Sequence, residues 1–138
     1  MADEIISHGQ SQLPTCIVPV PLHWSRHLNR GFNQSTLLAN QIRTRLQLHF
    51  HLDRRAMPVA SHFLKRRSQT QSQITQGAHG RLSNVRGAFQ LRSEVVLPVS
   101  VAIVDDVVTT GATVNEIAGL FKRAGVQRVE VWAAARTP

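Results

Sequence analysis

The chain has 138 residues, which is enough for one domain around a single hydrophobic core. Hydrophobic residues make up 42% of it, which argues against general disorder. No apolar run reaches the roughly 18 residues of a membrane span, and the first residues lack the pattern of a secretory signal. The single cysteine, Cys16, excludes a disulfide or a multi-cysteine zinc site within this chain. We therefore expect a cytoplasmic protein that does not contact membranes.

The formal net charge is +8, from 16 Lys and Arg against 8 Asp and Glu. Nearly all the basic residues are arginines, since lysine occurs only at Lys65 and Lys122. The guanidinium group suits bidentate contacts with phosphate. The charge leaves three interpretations open: solubility alone, a polyanionic small molecule, or nucleic acid.

The first predicted elements follow a lead-in over residues 1–15, which is polar, lacks periodicity and is open to disorder. A β-branched run predicts a strand over residues 16–20, and a basic loop follows over residues 22–32. Apolar residues at four-residue spacing then predict a helix from about Asn33, with Asn33 or Ser35 as its cap.

The middle of the chain is more polar. Residues 54–63 alternate weakly in hydrophobicity and predict an edge strand. Residues 64–84 are rich in Arg, Ser, Thr and Gln, and a stretch of this length in a compact domain indicates a linker, a working loop or an unrecognised helix. Short apolar runs over residues 85–91 and 95–97 are strand candidates.

The last part of the chain has a strand–helix–strand pattern. An unbroken apolar run predicts a buried strand over residues 99–104. A helix is predicted over residues 113–124, with a capping box from Thr113 to Glu116 and a stop at Gly125, followed by a strand over residues 129–135. This order predicts parallel pairing in an α/β protein.

Residues 101–113, VAIVDDVVTTGAT, carry the clearest chemical pattern. The carboxylates of Asp105 and Asp106 follow an apolar strand, and they can accept hydrogen bonds from vicinal hydroxyls or help to hold a divalent cation. The following loop supplies backbone N–H groups and hydroxyls at a helix N-terminus, which favours an anion. The segment therefore predicts a site for a molecule with a diol and a phosphate at the carboxyl end of the strand.

Other interpretations of this segment are weaker. A receiver domain needs more than the 32 residues that follow Asp106. A Walker B strand requires a P-loop, and the sequence has none. A purely structural turn stays open.

The segment resembles the binding motif for phosphoribosyl pyrophosphate (PRPP) in type I phosphoribosyltransferases. Two further blocks are similar to those of the ComF/GntX family. The first comprises residues 18–23, Arg26 and residues 30–34; the second comprises Arg67, Thr70, Gln73, Arg81, Asn84 and residues 87–89. With the PRPP motif, these blocks extend from about residue 17 to residue 136, and they identify the chain as a member of this family by resemblance.

The resemblance implies a type I phosphoribosyltransferase fold, with a mostly parallel central sheet flanked by helices and a flexible hood over residues 64–84. It implies that Asp105 and Asp106 hold the ribose hydroxyls and Mg²⁺ with PRPP. The 5′-phosphate would be bound by Val108, Thr109, Thr110, Gly111, Ala112 and Thr113. The pyrophosphate would be bound by Leu22, His23, Arg26 and Arg30. Arg66, Arg67 and Arg81 would meet the charge of the leaving group.

The sequence also departs from the family pattern. ComF proteins carry an N-terminal cysteine-rich zinc ribbon, and we expect this chain, with about 16 residues before the first block, to lack it. Gln76 stands where the family has Leu. No set of residues that would recognise a nucleobase is evident. Three functions therefore remain open: a phosphoribosyltransferase, a non-catalytic PRPP sensor, and a protein that binds single-stranded DNA. A homodimer is also left open.

Overall fold

The structure of the chain is a computed structural model that describes residues 1–22, 32–67 and 85–137. In these ranges the fold is α/β, with a three-stranded parallel sheet, a two-stranded antiparallel ribbon and helices packed against the sheet. In chain order the elements are α1 (Ala2–Ser7), a 3₁₀ turn (Gln10–Gln12), β1 (Cys16–Pro19), α2 (Gln34–His49), β2 (Leu64–Arg66), β3 (Phe89–Leu91), β4 (Ser100–Val108), α3 (Ala112–Arg123) and β5 (Arg128–Arg136).

The parallel sheet has the order β1-β4-β5, so the strand–helix–strand pairing predicted for the last part of the chain is confirmed. Successive residues of β4 point to opposite faces of the sheet. Val101 and Ile103 belong to the core cluster that contains α3, whereas Ala102 and Val104 belong to the cluster that contains α2. The central strand is thus buried between two helical layers, which explains its unbroken apolar run.

The helix predicted from about Asn33 is confirmed as α2. The Asn33 side chain accepts a hydrogen bond from the backbone N–H of Ser35 at 3.0 Å and caps the helix. Ala39, Ile42 and Leu46 are buried, as the four-residue spacing requires. Ser35 is not the cap, and its hydroxyl is free to make a contact described below.

The start of α3 differs from the prediction. The helix begins at Ala112, and its N-cap is Gly111 in the left-handed conformation, without a side-chain capping bond. The predicted capping box is therefore wrong, because Thr113 lies inside the helix and the Glu116 carboxylate accepts from Gly87 instead. The predicted stop is confirmed: Gly125 has φ +95° and its N–H donates to the carbonyl of Lys122.

The predicted edge strand over residues 54–63 is wrong. This segment turns before Pro58, Met57 has φ +55°, and the described strand pairing of the segment with the sheet is one parallel bridge between Val59 and Ile17. Proline and a left-handed residue interrupt the ladder that a longer strand needs.

Strands predicted elsewhere in the middle of the chain are shorter than expected. Within residues 85–91 only β3 forms, and it pairs with β2 as a ribbon. Residues 95–97 form no strand, and Val96 is 91% exposed. Residues 68–84, which hold most of the predicted hood, lie outside the described residues.

The lead-in over residues 1–15 contains structure that the sequence analysis did not predict. Met1, Ile5, Ile6 and Leu13 pack against the core cluster that includes α2. An ion pair of 2.6 Å joins Asp3 to Arg45 of that helix. The segment is too short for its helical period to be recognised, and its apolar residues are ordered by this packing.

The only thiol, Cys16, is buried in β1, and its Sγ donates to the carbonyl of Pro58 at 3.3 Å. Burial raises the pKa of this thiol to about 11. In the described parts of the chain, no helix is both long enough and apolar enough to cross a membrane.

Candidate functional site

The acidic pair lies inside β4, not after it. The predicted strand ends at Val104, but the observed strand continues to Val108 through Asp105 and Asp106. β1 stops at Pro19, which is the partner of Val104. From Asp105 onward, the described partners of β4 belong to β5 alone. The carboxylates therefore project where the sheet narrows, at the carboxyl end of the central strand, which is the usual ligand position in open α/β sheets.

Asp105 is half-buried and has two close hydrogen-bond donors. The Ser35 hydroxyl donates to Oδ1 at 3.3 Å, and the N–H of Asp106 donates to the same atom at 3.0 Å. Burial, followed by the neighbouring Asp106 carboxyl, raises the pKa of Asp105 to about 6. A cation or a hydroxyl donor placed beside this carboxylate would relieve the cost of its charge.

The loop after β4 forms a small cradle. Asp105 and residues 107–114 line a concavity of about 40 Å³. Gly111 has φ +76°, a conformation that side chains disfavour, although a Cβ there would have ordinary contact with Asn115 at 3.5 Å. The requirement for glycine is thus conformational, since the chain must change direction between β4 and α3 at this residue.

Donors converge on this cradle. The first N–H groups of an α-helix have no partner in their own helix, and they favour an anion. Two N–H groups at this helix start already have partners: that of Ala112 donates to the Thr110 hydroxyl at 3.3 Å, and that of Asn115 donates to the Gly111 carbonyl at 2.9 Å. Thr109 and Thr113 also line the concavity. The arrangement places two acids and the start of a helix within one short segment.

The remaining predicted site residues are only partly described. Leu22 is half-buried and lies three residues after the end of β1. Arg67 is exposed at the end of β2, where its Nε donates to Gln90 at 3.4 Å. Among the described contacts, none joins Arg67 to the cradle. His23, Arg26, Arg30 and Arg81 lie outside the described residues.

Two side chains near the site were missed by sequence reasoning. Ser35 lies 70 residues before Asp105 and contacts its carboxylate. Glu116 lies 29 residues after Gly87 and accepts its N–H at 2.8 Å. Neither partner could be inferred from local spacing, because both contacts depend on how the helices pack.

Comparison with known proteins adds a second line of evidence. No protein-family model matches the chain. The chain is 39% identical over 129 residues to Competence protein F of Haemophilus influenzae, covering 92% of the chain and 52% of that protein. It is 43% identical over 129 residues to DNA utilization protein YhgH of Escherichia coli, covering 91% and 51%. It is 29% identical over 119 residues to Competence protein ComFC of Streptococcus pneumoniae, covering 86% and 47%.

The structure is that of an α/β protein with two adjacent carboxylates and a glycine turn at the carboxyl end of its central strand. The similarities extend over most of the chain, and these relatives are named for competence or for DNA utilization. The chain spans about half the length of the curated relatives it matches.

Proposed function

We propose that the chain binds PRPP and transfers its phosphoribosyl group to a nitrogen acceptor. The bond from the anomeric carbon to the pyrophosphate oxygen breaks, a carbon–nitrogen bond forms, and the acceptor nitrogen gives up its proton. The observation that carries this proposal is the cradle, in which Asp105 and an anion-binding turn line one concavity. A type I phosphoribosyltransferase fold is part of the proposal and is compatible with the parallel sheet.

The ribose and its phosphate have separate partners in this proposal. Asp105 and Asp106 accept hydrogen bonds from the ribose hydroxyls, which are donors that two ionised carboxylates suit. The 5′-phosphate lies at the start of α3, where backbone N–H groups and the helix dipole favour an anion. The residues assigned to it are Val108, Thr109, Thr110, Gly111, Ala112 and Thr113.

The pyrophosphate is assigned to the basic residues of the chain. Leu22 and His23 would offer backbone N–H groups, and Arg26 and Arg30 would offer guanidinium groups. Arg67 and Arg81 would neutralise charge on the leaving group. The abundance of arginine supports this assignment, because its fork of donors matches phosphate oxygens.

The two carboxylates fit a magnesium ion that is held jointly with PRPP. Among the described residues, no group of three or more His, Cys, Asp or Glu forms a metal site from protein alone. Mg²⁺ is commonly held by one or two carboxylates together with substrate phosphates. When bound with PRPP, the ion would neutralise charge on the pyrophosphate. The chain's own contribution is to orient the ribose and the 5′-phosphate, and positioning can supply a large part of a rate enhancement.

The test is the pair of substitutions Asp105→Asn and Asp106→Asn in one variant, with PRPP binding measured by calorimetry in the presence of Mg²⁺. Binding should be lost while thermal unfolding stays cooperative. Asp53→Asn is the control, since the Asp53 side chain accepts a local hydrogen bond from the backbone N–H of Arg55 at 2.7 Å and lies outside the cradle. PRPP affinity equal to that of the unchanged protein would overturn the assignment.

A second candidate function is binding of single-stranded DNA in competence or DNA utilisation. It is favoured by the net charge of +8 and by the names of the relatives. Such binding should weaken steeply with salt, because counterions are released from the phosphates. Absence of binding at low salt would remove this candidate. A PRPP sensor without turnover is distinguished by assaying pyrophosphate release with a panel of nitrogen bases.

A further inference from the structure

Helix α3 is connected to a second functional region besides the cradle at its start. The Glu116 carboxylate accepts the backbone N–H of Gly87 at 2.8 Å. Gly87 lies just before β3, so this bond joins the helix of the proposed phosphate site to the β2–β3 ribbon. A carboxylate that accepts from an N–H makes a charge-assisted bond, which is stronger than a neutral one.

The backbone conformation of Gly87 is one that favours glycine. Its φ is +74°, and a Cβ built there would meet nothing within 4 Å. Space does not demand glycine, so the demand is for a backbone conformation that other residues rarely adopt. The conformation and the bond to Glu116 occur at the same residue, 29 positions away from its partner.

The bond acts at the end of the ribbon that carries two arginines. Arg66 pairs with Phe89, and its guanidinium lies 5.1 Å from the centre of that ring. The N–H of Arg67 donates to the carbonyl of Ala88 at 2.8 Å. Gly87 directly precedes Ala88, so the hydrogen bond to Glu116 is one residue away from the backbone hydrogen bond that holds Arg67.

An apolar contact supports the same junction. Phe89 is buried in the core cluster that includes Val114, Ile117 and Phe121 of α3. Packing therefore holds the ribbon against the helix, while the directional bond from Glu116 fixes the position of its end. Because the helix is also anchored by three buried side chains, we expect the fold to survive loss of the exposed bond.

We propose that Glu116 is a positioning residue that fixes the Arg66–Arg67 end of the ribbon relative to the 5′-phosphate loop. This inference rests on the proposed function. Glu116 touches no substrate; it sets the place of the cations with respect to the bound phosphoribosyl group. Small misplacements of such groups reduce rates strongly without an equal loss of binding.

The test compares Glu116→Ala with the conservative Glu116→Gln, whose amide oxygen still accepts a hydrogen bond. Glu94→Ala serves as the control, since Glu94 is exposed and has no ion pair among the described residues. Three quantities are measured for each protein: PRPP affinity, the kcat for pyrophosphate release, and hydrogen exchange of the amides of residues 87–91.

In Glu116→Ala we expect faster exchange at Gly87, a kcat lowered about tenfold and a PRPP affinity within about threefold of the unchanged protein. Glu116→Gln should retain most of the kcat, and Glu94→Ala should change none of the three quantities. An unchanged kcat in Glu116→Ala, or equal losses in the alanine and glutamine variants, overturns the inference.

Failure of the proposed function gives a different result. If the unchanged protein releases no pyrophosphate, ribose 5-phosphate is used as the probe. Its binding should slow exchange at residues 87–91 in the unchanged protein and in Glu116→Gln, but not in Glu116→Ala. Binding without this difference overturns the role of Glu116 alone. Absence of ribose 5-phosphate binding overturns the phosphate site, and the inference with it.

Discussion

The two halves of β4 are one strand with opposite environments. Ser100 to Val104 are buried, and the strand pairs there with both β1 and β5. Asp105 to Val108 continue the same strand, but their described pairing is with β5 alone and none of them is fully buried. The sheet thus changes from core to site between two adjacent residues, at the point where β1 ends.

This difference separates the residues of β4 that stabilise the fold from those that form the candidate site. The first half is surrounded by packed side chains, so its substitutions should affect stability. The second half keeps the backbone geometry of the strand while its side chains are half-buried or exposed, as the proposed ligand contacts require. Substitutions there should affect binding more than folding.

The largest effect is expected for Ile103→Ala in the buried half. Ile103 is fully buried, and loss of its side chain leaves a cavity between β4 and α3. The free energy of unfolding should fall by about 3 kcal/mol, measured by urea denaturation. Val107→Ala in the second half is the control; Val107 is 43% exposed and should lose less than about 1 kcal/mol. Equal losses would contradict the division of the strand.

A smaller effect is expected for Gly111→Ala at the turn after β4. Its φ of +76° disfavours alanine by about 1–2 kcal/mol, and the strain should also weaken the proposed phosphate binding. Gly119→Ala tests the helix interior, where alanine is favoured by about 0.5–1 kcal/mol. There the new Cβ would meet only the mobile end of Arg123 at 3.0 Å. Thermal unfolding should therefore shift in opposite directions, and a shift in the same direction would contradict the conformational role of Gly111.

Asp105 should make the stability of the chain depend on pH. Burial raises the pKa of Asp105 in the folded chain to about 6, from an ordinary value of 3.8. The folded state therefore holds the proton more tightly, and the stability from protonation is present below about pH 4 and lost as pH rises through about 6. Asp105→Asn removes this loss, so its Tm should exceed that of the unchanged protein at pH 7.5 and approach it at pH 4. A constant Tm difference across this range would contradict the burial of Asp105.

Local signals explain what the sequence could predict. The α2 helix has its cap and its apolar face within one segment, and both are observed. The buried start of β4 is evident from its apolar run, and the acidic pair and glycine turn mark the site. The acidic half of the strand was not predicted because the unbroken apolar run ends at Val104, whereas the pairing of β4 with β5 continues to Val108.

Most of the features that the sequence did not predict depend on contacts between distant segments. The β2–β3 ribbon depends on pairing across the residues that separate Arg66 from Phe89. The contacts of Ser35 with Asp105 and of Gly87 with Glu116 depend on helix packing. The lead-in over residues 1–15 packs against the core, and its own sequence pattern does not predict this packing.

Because Cys16 is buried in β1, its reaction with a thiol reagent would report local unfolding around that strand. The protein has a single thiol, and its high pKa keeps the reactive thiolate scarce while β1 remains in the sheet. A thiol reagent can therefore modify the protein only when β1 separates from β4 or the segment around Pro58 moves away. The labelling rate counts these events directly and needs no introduced probe. Ligand occupancy at the end of β4 can then be read as a change in that rate.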